Sequence, residues 1–176
     1  MDELLNLIKE RRSIKNFITD KEVPEELIEQ VVEAGLYAAN GRGLQAPEII
    51  VVTNKALRNK IAKENSKIGG FGANIDPFYG APVILIVIAP KNVSTSLYDG
   101  SLVLGNMMLM AHKLGLGSCW IHRAKEEFES DLGKEILQQL FLEDEYIGIG
   151  HLALGYANCQ LPEAKPRKAN RVHYIK

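Results

Sequence analysis

Seven consecutive residues, Val83 to Ala89, are apolar, and prolines at 82 and 90 close the run at both ends. The run does not alternate between a wet and a dry face, so it reads as a buried strand. A second apolar stretch constrains the fold as strongly. From about Asp99 to Leu114, Leu102, Val103, Leu104, Met107, Met108, Leu109, Met110 and Leu114 cover nearly every face of a helix. A helix without a polar face is enclosed on all sides, which in a chain of 176 residues suggests packing against a second subunit. Asn106, His112 and Lys113 interrupt the stretch, and it is short of the ~18 uninterrupted apolar residues of a membrane span. No membrane partner is expected.

The remaining elements are weaker but consistent. Leu4, Leu5 and Ile8 give one apolar stripe, so a helix is expected from about Asp2 to Arg11 with Asp2 as its cap. Ser13 to Phe17 then runs extended. Pro24 reads as a first-turn proline, and Leu27, Ile28, Val31, Val32 and Leu36 place a second helix from about Pro24 to Ala39, broken by Asn40-Gly41-Arg42-Gly43. Ile49 to Val52 is a strand, and Asn54 caps a helix carrying Leu57 and Ile61. A glycine-rich loop, Gly69 to Asn74, follows. Gly115 and Gly117 end the long apolar helix, Ser118 to His122 is a strand, and Ile136, Leu137, Leu140 and Phe141 mark another helix. Tyr146 to Tyr156 is the last strand. The polar tail from about Ala157 is expected to lie across a neighbouring subunit. Strands alternating with helices indicate an α/β or α+β sandwich, in one domain spanning residues 1–176.

Composition excludes several function classes. With 46% hydrophobic and 24% charged residues the chain is neither disordered nor fibrous. A net charge of -1 gives no global field to attract nucleic acid. Cys119 and Cys159 form no CxxC, which fits a reducing cytoplasmic setting, and Met1 is followed by Asp2 and Glu3 rather than a basic leader. The histidines at 112, 122, 151 and 173 match no metal-ligand spacing, so no metal is expected. The loop at Gly69 to Gly72 lacks the ending of a P-loop, and a mobile loop over a cleft is the better reading. Cys119 lies in an apolar strand, where a thiol is inert more often than reactive.

Against this ordinary background two basic clusters stand out. Arg11, Arg12 and Lys15 flank Ser13, and Lys165-Pro166-Arg167-Lys168 lies near the other end. Arginine forks hold phosphate oxygens bidentately and a serine hydroxyl adds a donor. The clusters are expected to converge on the phosphate of one small ligand.

These segments, in this order, resemble the FMN-dependent nitroreductase family over nearly the whole chain. The residues that carry the resemblance are Arg11-Arg12-Ser13-Ile14-Lys15-Asn16-Phe17, Asn40 to Pro47, Gly115 to His122, Ile149 to Tyr156 and Lys165-Pro166-Arg167. One departure is plain: the family's Gln-Pro-Trp is here Gln45-Ala46-Pro47. The resemblance implies an α+β fold, a three-layer sandwich whose mostly antiparallel central sheet is flanked by helices, in an intertwined homodimer. It implies a bound FMN, with NAD(P)H as transient hydride donor and ping-pong transfer through flavin N5 to nitroaromatics, quinones or similar small electron acceptors. A flavin carrier or sensor of the same fold is the alternative. The implied cofactor-binding residues are Arg11, Arg12, Ser13, Lys165 and Arg167 toward phosphate and ribityl, and Lys15 toward the pyrimidine edge. Ile121, His122 and Arg123 lie toward N5, and Asn40, Gly41, Arg42, Gly43 and Gln45 come from the partner chain. No protein acid or base is obligatory, so no catalytic residue is implied.

Overall fold

The computed structural model describes residues 2–72, 74–142 and 145–176; Ala73, within the expected glycine-rich loop, lies outside them. A four-stranded sheet is built from β1 (Glu48–Val52), β2 (Val83–Pro90), β3 (Gly117–Ile121) and β4 (Tyr146–Gly155) in the order β1-β2-β4-β3. All three pairings are antiparallel. The apolar run at 83–89 is thus a central strand, buried along its length because both faces are covered.

Alternation along β2 divides the interior in two. Ile84, Ile86 and Ile88 face one core with Ile14, Phe17, Ile61, Phe78, Cys119 and Leu137. Val83, Leu85 and Val87 face the other with Val31, Leu104, Met107, Leu152 and Leu154. Helices α3 (Lys55–Ile68), α5 (Ala124–Glu129) and α6 (Asp131–Gln139) cover the first side, and α2 (Glu25–Leu36) and α4 (Ser96–Lys113) the second. This is the expected three-layer arrangement. The ladder slips by one residue where Val87 pairs with Gly150 and Ile88 with Gly148, leaving Ile149 as a bulge in β4.

Helix ends follow the caps. In α1 (Glu3–Glu10) Asp2 accepts from the amides of Leu4 and Leu5, and in α3 Asn54 accepts from Leu57. Pro24 stands at the N-cap of α2, one position before the first turn. That helix ends at Leu36, not Ala39, and Asn40 is already extended. The long apolar helix begins earlier than its hydrophobic pattern, at Ser96, whose hydroxyl donates to the Pro90 carbonyl at 2.6 Å. α5 was not expected from the sequence. The tail is exposed from Asn158 onward and has no helix or strand.

Candidate functional site

The extended segment after α1 lies along the edge of β3. Ser13 bridges Ser118 in parallel, and the Ile14 amide donates to the Ser118 carbonyl at 2.9 Å. Ile14 points inward and is buried, while Ser13 and Lys15 are exposed, as alternation requires. The pattern lapses at Asn16, also exposed, before Phe17 re-enters the core. Arg11 is half-buried, and its Nη1 has no hydrogen-bond partner among the described residues. Arg12 turns elsewhere: its Nε donates to the Pro162 carbonyl at 3.0 Å and its Nη1 to the carbonyls of Lys9 and Arg11. The cationic donors not used internally at this edge are therefore Arg11 and Lys15. Their grouping also shows in Cys119 on β3. Burial pushes its thiol up, opposed by nearby Lys15, Ser13 and Arg11.

At the far end of β3 the chain makes a tight turn through His122 and Arg123, the latter in the left-handed region at φ 77°. Arg123 is half-buried, its Nε donating to Asn65 Oδ1 at 3.1 Å and its guanidinium 4.9 Å from the centre of the Phe71 ring. Asn65 is fully buried; its Nδ2 donates to the His122 carbonyl at 3.0 Å and to Glu127 Oε2 at 3.3 Å. Glu127 Oε1 lies 3.1 Å from Nε2 of His151, and both residues are fully buried. Phe78 meets the His151 ring edge-on. Because 13–15 runs parallel to β3, the residues fall in one sequence along one edge: Ser13 beside Ser118, then Lys15, then the turn at His122 and Arg123.

The loop from Asn40 to Gln45 is held at the other end of α4. Asp99, buried in the first turn, accepts from the Gly41 amide through both oxygens at 3.1 Å and from Thr95 Oγ1 at 2.8 Å. A side chain at Gly41 would meet Thr95 Oγ1 at 2.5 Å, so only glycine fits this seat. The Gln45 amide donates to Asn40 Oδ1 at 2.8 Å. Arg42, Gly43 and Gln45 are exposed, and all three have positive φ. Residues 41–43 form a short 3-10 turn. The segment carrying Arg11 instead joins the C-terminal end of α4, where Lys113 and Glu3 form an ion pair at 2.6 Å. An 18-residue helix is about 27 Å long, so one chain does not bring its loop 40–45 to its own Arg11. Lys165 and Arg167 are exposed and make no hydrogen bond or ion pair among the described residues. The tail does begin beside the site: Asn16 and Asn158 exchange hydrogen bonds, and Arg12 holds Pro162.

Asn65, Glu127 and Asp99 were not singled out by sequence, and His151 was weighed only as a metal ligand. Only His151 carries a signal, as a polar residue within the otherwise apolar strand from Ile147 to Leu154.

A four-stranded antiparallel sheet lies between helices, with Arg11 and Lys15 beside its edge strand β3 and polar groups gathered at that strand's far end, in an α+β protein. The sequence profile of the Nitroreductase family matches residues 8–68 and 73–156, and the chain belongs to that family. A protein of Methanothermobacter thermautotrophicus, provisionally named NADH dehydrogenase/NAD(P)H nitroreductase, is 33% identical over 122 residues, 67% of this chain and 60% of that relative. The chain thus spans less than two thirds of that relative's length. A nitroreductase from Bacteroides fragilis crystallised with bound FMN superposes with a TM-score of 0.91 at 24% identity, covering 100% of both chains. Another with bound FMN, from Desulfitobacterium hafniense, gives 0.85 at 26% identity, again over 100% of both.

Proposed function

We propose that this protein is an FMN-dependent NAD(P)H oxidoreductase that passes a hydride to nitroaromatics, quinones or similar electrophiles in two successive half-reactions. The observation that carries the reading is the buried, unpartnered Nη1 of Arg11 beside the exposed Ser13 and Lys15. An arginine stays charged at any ordinary pH, and a buried donor without an acceptor is costly. A phosphate monoester supplies the missing acceptor and nearly two negative charges. Family membership and the FMN-bound Desulfitobacterium structure support the same ligand.

Arg11 binds the phosphate, with Ser13 beside it. Lys15, further along the edge, faces the ring's pyrimidine side and favours negative charge there. FMN, when bound, supplies a carrier of two electrons that no side chain of the protein can replace. The backbone at Ile121, His122 and Arg123 orients the reacting edge. Arg12 contributes by fixing the tail through Pro162 rather than by touching phosphate. Asn40, Gly41, Arg42, Gly43 and Gln45 close the site from a second copy, since the length of α4 separates them from Arg11 within one chain. Lys165 and Arg167 reach the phosphate from the tail.

Purified protein is expected to be yellow. Under anaerobic conditions NADH or NADPH should bleach the flavin band, and menadione or nitrofurazone should restore it. Bound flavin that neither nicotinamide reduces would point instead to a carrier or sensor, and protein that fails to take up added FMN would overturn both readings.

A further inference from the structure

We infer that Asn65, Glu127 and His151 form a buried positioning relay that fixes the His122–Arg123 turn, and through it the donors that face the reacting edge of the cofactor. The inference rests on the flavin reading above.

The turn needs an anchor. Arg123 sits at φ 77°, a left-handed conformation that is unfavourable for any residue with a Cβ and persists only where its surroundings over-determine it. β3 stops at Ile121, and among the described residues the amides of His122 and Arg123 have no partner. The Glu127 amide donates to the Arg123 carbonyl at 3.0 Å and the Phe71 ring lies against the guanidinium, but one side chain joins both residues of the turn. Asn65 grips the His122 carbonyl from one side and the Arg123 side chain from the other.

A primary amide can serve both contacts in only one orientation. Its NH2 must face the His122 carbonyl and its oxygen must face Arg123 Nε. Glu127 favours that choice, because Asn65 Nδ2 donates to its Oε2 at 3.3 Å. His151 in turn anchors Glu127 through Nε2. These residues come from α3, α5 and β4, and together they tie the turn to the sheet. Nδ1 of His151 has no partner among the described residues, so the ring's direction is set by Glu127 and by the edge of Phe78.

The consequence is electrostatic. N–H groups held rigidly toward an atom that gains electron density stabilise the reduced state, and they cost no reorganisation when the charge arrives. Loosening the turn should therefore make the flavin harder to reduce without weakening its attachment, which depends on Arg11, far along the edge.

The test uses full-length holoprotein and three measurements: FMN dissociation constant, flavin midpoint potential, and the anaerobic rate of flavin reduction by NADPH. Asn65→Ala and Glu127→Ala should bind FMN as the unmodified protein does. They should show a lowered midpoint potential and reduction slowed on the order of tenfold, the scale of a small misplacement of reacting groups. Glu127→Gln should restore both, because its carbonyl accepts from Asn65 while its NH2 faces His151, whose ring proton moves to Nδ1. Arg123→Met, on the half-exposed side of the same contact, tests the relay even if a core variant fails to fold, and it should lower the potential in the same direction. Variants that fold, bind FMN and keep the original potential and rate would overturn the relay. If the unmodified holoprotein is itself not reduced by either nicotinamide, the functional reading has failed instead.

Discussion

At the scale of single residues, the site depends on where each cation spends its donors. Arg11→Ala should weaken FMN binding by about 1.5–3 kcal/mol, the worth of a charge-assisted hydrogen bond, with an affinity loss of roughly ten- to a hundredfold in a flavin-fluorescence titration. Arg12→Ala should loosen the tail more than it weakens FMN, because its bonds go to the carbonyls of Pro162, Lys9 and Arg11. Sequence alone placed both arginines in one cluster. It carried no sign of which guanidinium would fold back on the chain, since that depends on Pro162, 150 positions away. The exposure of Lys15 on the same side as Ser13 was legible because alternation in an extended segment is a local property. Asn65 was not legible, because its role exists only once α3 meets the end of β3. The two thiols give a separate check. Cys159 is exposed and Cys119 is buried, with burial raising the Cys119 thiol above its ordinary range. A thiol raised in this way favours the folded state below the ordinary thiol range, and that preference is lost as pH climbs through the folded value. At mildly alkaline pH, native protein should therefore react with a disulfide reagent in two phases, Cys159 fast and Cys119 slow. The Cys119→Ser variant should lose only the slow phase, and equal rates for both thiols would contradict the buried placement.

At the scale of elements, the same helices and strands that the hydrophobic pattern announced carry the site, while the shortest helix escaped it. Residues 124–129 read Ala-Lys-Glu-Glu-Phe-Glu, with Ala124 and Phe128 as the apolar positions. The third buried position is Glu127, which pairs with His151 instead of joining an apolar stripe. A six-residue helix whose core face includes a carboxylate has no periodic signature to read. The end of α2 was misplaced for a comparable reason. Ala38 and Ala39 are good helix formers, but Gly41 must reach Asp99 on α4, so the chain leaves the helix at Leu36. α5 nonetheless sets the start of the turn at Arg123, and its seat on β4 is narrow. A methyl group at Gly148 would lie 2.1 Å from the Ala124 carbonyl oxygen, a backbone atom that cannot swing aside. Gly148→Ala should accordingly cost about 1–3 kcal/mol, the usual price of overpacking, seen as a lower urea midpoint. It should also perturb the visible circular dichroism of bound flavin, because displacing α5 displaces the residue before it. A variant with unchanged stability would mean that α5 is not held by this contact.

At the scale of the whole molecule, one chain leaves its apolar surface unfinished. Leu97, Tyr98 and Leu102 on α4 are exposed, as are Leu36 and Tyr37 beyond α2 and Leu44 in the loop. A cavity of about 800 Å³ opens between α1 and α4, lined in part by Leu4, Leu7, Leu109 and Met110. The tail adds Leu161, Val172, Tyr174 and Ile175, none of them buried against its own chain. Exposed large apolar residues grouped on one helix and the segments beside it mark an interaction surface. The all-apolar pattern of α4 announced this in the sequence, because a helix with no polar face has nowhere to turn one. The pattern does not reveal which segments would cover it, since a covering copy would carry the same sequence and leave no separate trace. If a second copy covers α4 and its tail clasps the first, assembly and cofactor binding are coupled. Sedimentation should then give the mass of two chains, and FMN affinity should fall on dilution as subunits separate. Deleting residues 159–176 removes the exposed tail apolar residues together with Lys165 and Arg167, while leaving the sheet and both cores intact. That truncated chain should keep its helical circular dichroism, dissociate at higher protein concentration than the full chain, and lose FMN in parallel. A truncated chain that stays paired and binds FMN as tightly as the full chain would show that the tail neither joins the subunits nor reaches the phosphate.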